Sequence, residues 1–383
     1  MLPVRAGLIN ELNRAAAAVV VAQGRVQYLR HVSPTNLTAV RARFLAAYPA
    51  ADAIDPIFEY ATPPLDTAEV LREAADLLPS SQPWRALLEE QLESVRQAYA
   101  ALLSRNPADM TAYALRQFGT PDEATMAAAS RDLAAGCPAH ADGGAAVWSA
   151  EQARSVLAAV LHRAGLVDWS VEVPEHMVAR MSVLGSRRQV RIRRDAVFST
   201  PELRRLIVHE IGTHAFRWEN ANRQQLELLA VGSAGYLSTE EGLAAWHERE
   251  AGLSSQDVRR RYALRFLASR AGLDCGLRAV VDRLVDHTTV AEAFDIAVRV
   301  KRGLVDTSVP GGFIKDQVYF GGLTEVHAYM AGHPEDYDLL MASKWSLRQI
   351  PLLRELRADR LLLPPTYRVD WAVELAHELT AGV

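Results

Sequence analysis

Apolar positions recur at helical spacing over the first 165 residues and at a shorter spacing just beyond them. Leu8, Leu12, Ala15, Val19 and Ala22 form one stripe across residues 6–24, the pattern of a helix that buries a single face. The same period predicts helices over 36–48, 67–77, 83–104, 108–117, from Pro121 to about 135, and over 145–164. In the helix over 83–104, Trp84, Leu87, Leu88, Leu92, Val95 and Tyr99 share the apolar side. Phe58 and Tyr60 lie in a rigid aromatic segment between Pro56 and Pro63-Pro64 that reads as packing. Residues 136–144, punctuated by glycine and proline, read as a linker or exposed loop.

The period then changes. Val171 to Val183 and Gln189 to Phe198 alternate as two strands turning at Gly185-Ser186, with Val190 and Ile192 on one side and Arg191 and Arg193 on the other. Such an antiparallel pair either offers its outer edge to an extended peptide or only covers the core. Thr200 is the expected cap of the next helix, with Pro201 at its first position. Further helices are expected over 222–237, 241–250, 254–271, 276–285, 290–302, 322–334, 344–359 and 367–380.

One of these helices carries a concentration of chemistry. Leu206-Ile207-Val208 runs straight into His209-Glu210-Ile211-Gly212-Thr213-His214. Imidazole and carboxylate beside an apolar run are costly to bury unless paired or bound to a metal. The familiar zinc motif sets its histidines four apart, one turn of helix. Here they are five apart, which places them roughly 140° apart around an ideal helix. The spacing serves one ion only if the helix ends, tightens or bulges near Gly212; otherwise the pair is two surface histidines or a helix-end cap. A second stretch, Thr239-Glu240-Glu241-Gly242-Leu243-Ala244, enters an apolar segment with paired glutamates. Thr239 as a cap would face Gly242 where a capping box needs a glutamate, so capping leaves the pair unexplained. Two histidines on one helix and a glutamate from the next form a catalytic zinc arrangement with one position left for water.

Composition narrows the rest. With 49% apolar residues, 23% charged residues and a net charge of −4, the chain is an ordinary globular one, with nothing to favour disorder or a nucleic-acid partner. Cys137 and Cys275 are too far apart to suggest a disulfide framework, which points to a reducing cytoplasm. The run from Ala15 to Ala22 is too short to span a bilayer and reads as part of a buried helix, so no membrane partner is expected.

His-Glu-Ile-Gly-Thr-His followed by Thr-Glu-Glu-Gly-Leu-Ala resembles the microtubule-associated tyrosine carboxypeptidases and their bacterial relatives, the flavohaemoglobin expression-modulating QEGLA-motif proteins. The likeness extends to the strand-like lead-in at 171–198 and to Gly311-Gly312-Phe313-Ile314-Lys315-Asp316. It implies an α+β, predominantly helical fold: a zincin-like core with a small antiparallel sheet before the active-site helix. A helical framework (1–165) would pack with the catalytic region (166–383) as one compact unit. It also implies an HExxxH zinc peptidase that trims the C-terminus of a peptide or protein. His209, His214 and Glu241 would be the ligands and Glu210 the catalytic carboxylate. Glu240 stands where the bacterial label has glutamine and is a rival ligand.

A carboxypeptidase also needs a cation for the substrate carboxylate. Lys315 is the first candidate, followed by Arg299 and Arg302. Tyr319 is the candidate hydrogen-bond donor to the reacting oxygen, while His247 and Asp316 are candidates for supporting roles. The alternatives are an amidase or isopeptidase on another substrate, and a regulatory protein with a structural metal. The sequence leaves oligomeric state open.

Overall fold

The computed structural model describes residues 6–50, 54–134, 147–175, 177 and 179–381, so the expected linker at 136–144 lies outside the described residues. The fold is predominantly helical with a small β component. Its contacts group the chain into two units, each drawn from three stretches: Met1–Ala135, Leu226–Ser238 and Arg259–Gly321 in the first, and Gly136–Gln225, Thr239–Val258 and Gly322–Val383 in the second.

The first unit is built on the helices that periodicity predicts. Leu12, Ala15, Val19 and Ala22 are all fully buried on Ala6–Val26, which packs against Thr67–Asp76 and Trp84–Ser104. Asn106 caps Pro107–Phe118 by accepting the Ala108 N–H at 2.8 Å. Phe58 is buried, and the Tyr60 hydroxyl donates to Leu304 O and accepts from Gly303 N, each at 2.8 Å, so the aromatic segment is packing. Lys301 is fully buried, yet its ammonium spends its three protons on Gly272 O, Val309 O and Gly311 O at 2.7–2.8 Å. The helix expected over 222–237 does not form as one piece. Gly232 (φ +83°) and Gly235 (φ +70°) adopt left-handed backbone and separate Leu228–Val231 from Tyr236–Glu250.

In the second unit the strands are β1 (Val147–Ser149), β2 (Ser170–Glu172), β3 (Met181–Leu184), β4 (Gln189–Ile192) and β5 (Val197–Ser199). The expected hairpin is present as β3–β4, antiparallel from Met181↔Ile192 to Leu184↔Gln189, with Val190 and Ile192 fully buried. Each of the two expected strands is divided in the structure. β2 pairs parallel to β4, making a mixed sheet in the order β2-β4-β3, while β5 pairs antiparallel with β1. The break between β4 and β5 is a turn in which Ala196 N–H bonds Arg193 O at 3.0 Å.

β5 delivers the chain into the motif helix. Its cap is Ser199, one residue before the expected Thr200, accepting from Glu202 N at 3.4 Å. The Thr200 hydroxyl instead accepts the Trp148 indole N–H at 3.0 Å and fastens the helix start to β1. The helix runs from Thr200 to Asn222 and packs against Val369–Leu379. Among the described residues no helix is long and apolar enough to cross a membrane.

Candidate metal centre

The middle of the motif helix, Ile207–Ala215, is wound as a π-helix, with Phe216 N–H reaching back to Ile211 O. A ladder that closes five residues back stacks positions i and i+5 on one face. His209 and His214 therefore face the same way despite their spacing, with ring centroids 4.9 Å apart. The irregularity that the spacing demands is present, but it is a run of π winding and needs no left-handed glycine. Gly212 serves another purpose. A Cβ there would sit 2.8 Å from Ala372 Cβ and 3.2 Å from Val369 Cγ2, so its bare backbone lets the Val369–Leu379 helix close onto the motif.

Glu241 comes from Tyr236–Glu250. Its Oε2 lies 3.5 Å from His209 Nε2 and 3.5 Å from His214 Nε2. Ligand atoms arranged tetrahedrally about 2.1 Å from a zinc ion are about 3.4 Å apart, so two imidazole nitrogens and this carboxylate oxygen fit one ion between them. His209, His214 and Glu241 form a potential metal-binding cluster, buried except for the half-buried His214. Glu210, next to His209 on the same turn, is also buried. The glutamate helix is held by another close approach. A Cβ on Gly242 would lie 2.3 Å from Gly322 O, so this crossing admits only glycine without displacement.

The far nitrogen of each histidine is committed. His209 Nδ1 bonds Glu248 Oε1 at 2.7 Å, and Glu248 in turn accepts from Arg205 Nη1 at 2.5 Å. His214 Nδ1 bonds Glu240 Oε1 at 2.9 Å; Glu240 also meets Arg217 Nη1, and Lys344 Nζ lies 3.3 Å away. An ionised carboxylate only accepts, so each Nδ1 carries a proton, and Nε2 is the nitrogen whose lone pair an ion would take once its own proton is displaced. Glu240 is occupied in this way, which leaves Glu241 as the glutamate facing both rings.

Charge follows the same lines. Burial favours the neutral form of Glu240, but Arg217, then Lys344 and His214, hold it ionised well below the usual carboxylate range. Burial likewise opposes the charge on Glu248, and Arg205 and His209 outweigh it. Burial also opposes an imidazolium at His209, yet Glu241 and Glu248 push its pKa up to about 10. His214 is raised as well, by Glu240 and Glu241 against burial. His247 goes the other way: burial, then Arg217, push it down to about 3. It is a neutral buried imidazole hydrogen-bonded to the Thr213 hydroxyl at 2.7 Å and the Tyr337 hydroxyl at 3.0 Å.

The remaining predicted residues belong to the first unit. Arg299 makes a two-point ion pair with Asp316, its Nη2 at 2.9 Å from Oδ1, and Arg265 Nε lies 3.8 Å from the same carboxylate. Arg302 is buried with its guanidinium 4.9 Å from the Phe313 ring centre. Tyr319 stacks on Tyr262 at 5.4 Å, with Lys315 Nζ 5.2 Å from its ring centre. Asp316 thus supports arginines. The carboxylate that supports His209 is Glu248, which sequence reading missed along with Arg205, Arg217 and Lys344. The available signal was Glu248 lying two helical turns beyond Glu241, on the same face.

A family model described as microtubule-associated tyrosine carboxypeptidase matches residues 43–381. The chain belongs to this family. Microtubule-associated tyrosine carboxypeptidase 1 of Mus musculus is 32% identical over 155 residues, 39% of this chain and 32% of that protein. The putative tyrosine carboxypeptidase MATCAP2 of Homo sapiens is 31% identical over 180 residues, 45% of this chain and 34% of that protein. The chain thus spans about a third of the length of the curated family members it matches.

Proposed function

We propose that the protein is a zinc-dependent metallocarboxypeptidase that hydrolyses the C-terminal peptide bond of a peptide or protein. The observation that carries this reading is the convergence of two imidazole Nε2 atoms on one Glu241 oxygen at 3.5 Å each, with Glu210 on the same helical turn. His209, His214 and Glu241 would hold the ion. Zinc there would supply Lewis-acid polarisation of the scissile carbonyl and a water acidic enough to ionise near neutral pH. Glu210 takes the proton from the attacking water and passes it to the leaving amine. Glu248 and Glu240 keep both imidazoles in the tautomer that leaves Nε2 free to ligate. The proposal also assigns the substrate carboxylate to Lys315, with Arg299 and Arg302 behind it, and the developing oxyanion to the Tyr319 hydroxyl. A cytoplasmic setting belongs to the same proposal, supported by cysteine usage.

The test pairs metal analysis with C-terminal release from an unbiased peptide library. Wild-type protein is expected to carry about one zinc per chain. Glu210→Gln should retain the metal and lose at least about 100-fold in release rate. Metal without release in the wild type would exclude the carboxypeptidase reading, and no metal uptake would exclude the centre itself.

A further inference from the structure

The π winding that brings His209 and His214 to one face is a rare form of helix, so contacts from outside its own backbone have to favour it over regular winding. Thr213, within that stretch, makes such a contact. Its hydroxyl donates to Val208 O, five residues back, at 3.2 Å. A threonine in a regular helix back-bonds to the carbonyl three or four residues earlier. Positions five apart would there stand roughly 140° apart, so this bond exists only while the helix keeps its wider turn.

The bond is the end of a chain. Thr213 has one hydroxyl proton and Val208 O takes it, so the 2.7 Å contact with His247 Nδ1 is made by a proton on the ring. His247 Nε2 is then left to accept, and the Tyr337 hydroxyl lies 3.0 Å from it. Burial, then Arg217, keeps the ring neutral, the state in which one nitrogen donates and the other accepts. The donors therefore all point one way, from Tyr337 through His247 and Thr213 to Val208. Thr213 is fully buried and His247 is 2% exposed, and each side-chain polar atom of both has a partner. The chain also crosses between the two helices that supply the candidate cluster. Thr213 precedes His214 on the motif helix, while His247 shares Tyr236–Glu250 with Glu241. All of these residues belong to the second unit.

We propose that Tyr337, His247 and Thr213 form a clip that holds the π winding and, through it, the convergence of His209 and His214 on Glu241. They are positioning residues that act on the backbone carrying the histidines, whereas Glu240 and Glu248 act on the rings. The clip rests on the metal-centre part of the function proposed above and is indifferent to which bond is hydrolysed.

Thr213→Val keeps the side-chain shape without the hydroxyl, and Thr213→Ser keeps the hydroxyl. Cobalt(II) is titrated into the full chain of each, with affinity read by chelator competition and ligand geometry by visible absorption. Thr213→Val should bind cobalt at least about tenfold more weakly than wild type and with an altered spectrum, while Thr213→Ser stays within about threefold. A hydroxyl that only stabilises the core would lower the unfolding midpoint of Thr213→Val and leave the cobalt affinity of the folded protein unchanged, which would overturn the proposal. If Thr213→Val does not fold, Tyr337→Phe takes its place with the same expected loss. Nitrogen NMR of the metal-free wild type should find the His247 proton on Nδ1; a proton on Nε2 would break the chain of donors and overturn the clip. A wild type that takes up no cobalt would instead remove the metal centre. The clip is then decided by the NMR result and by amide exchange in the motif helix, which Thr213→Val should speed at least about tenfold relative to Thr213→Ser.

Discussion

Both histidines of the candidate cluster are fixed from behind by a carboxylate that has its own arginine. The pairs are far apart in sequence: Glu248 lies 39 residues from His209, and Glu240 lies 23 from Arg217. Replacing Glu248 with alanine removes the acceptor that holds His209 and should lower metal affinity about 10- to 100-fold, read by chelator competition. Glu240→Gln keeps an acceptor for His214, so its metal affinity should fall less. Its cost is instead in stability, about 3–5 kcal/mol by denaturant unfolding, because fully buried Arg217 loses its counter-ion. The histidines also predict a pH dependence. His209 is held near 10, above its ordinary 6.5, so without metal it contributes stability in full below about 6.5 and loses it as pH rises toward about 10. Metal competes for those imidazoles and gains affinity over the same interval. Chelator-treated protein should therefore unfold at lower denaturant at about pH 9 than at about pH 7, while metal-loaded protein changes less. An unchanged midpoint in the chelated protein would contradict the charge assignment. At this scale the sequence displayed the candidate cluster of His209, His214 and Glu241 openly, because paired motifs announce themselves. Of the residues that orient them, Glu248 left only its place on the Glu241 helix as a trace, while Arg205 and Lys344 left none, since they meet their partners only after folding.

Helices were legible wherever a long apolar stripe stood alone, as in Ala6–Val26. They were misread where leucines ran through a break, as at Gly232 and Gly235, whose left-handed backbone overrides the periodicity around them. The motif helix was partly legible: a spacing of five demanded irregular winding, but its form was set by the packing of neighbouring helices. Two glycines make that packing possible. Gly212→Ala would push against Ala372 and should destabilise by about 1–3 kcal/mol. Combining it with Ala372→Gly should recover part of the loss, a non-additivity visible in a double-mutant cycle. Strict additivity would mean that the two residues are not in contact. Gly242→Ala meets backbone at Gly322 O, which cannot move aside as a side-chain tip can. The Glu241 helix should shift, with metal affinity falling at least about tenfold by chelator competition.

For the molecule as a whole, each unit is assembled from three separated stretches of chain. The helix Ala150–Arg163 belongs to the unit that holds the histidines; it packs against β1, β5 and Val369–Leu379 and buries Ala153, Leu157 and Val160 completely. A fragment beginning at residue 166 would expose the surfaces those side chains cover. It should show no cooperative thermal transition by circular dichroism, and a sharp one would show that the helix is dispensable. The sheet was legible in outline because β3 and β4 are neighbours in sequence. The parallel pairing of β2 was hidden because it reaches across β3. The family match from 43 to 381 takes in residues of both units.

A stretch of π winding within an α-helix is equivalent to an ordinary helix that has gained one residue. Everything downstream is then rotated by roughly 100° relative to an unbroken helix. Deleting one residue between Glu210 and His214 would leave the histidines four apart, a spacing regular winding brings to one face. With no residue removed, regular winding of the same sequence would turn Arg217 away from Glu240, and Asn220 from the backbone of Thr366 and Tyr367 that it now holds at 2.9 Å. The π winding is thus a phase adjuster: it absorbs a surplus residue so that one rod presents both histidines to Glu241 from its middle and still meets Glu240, Thr366 and Tyr367 with its end.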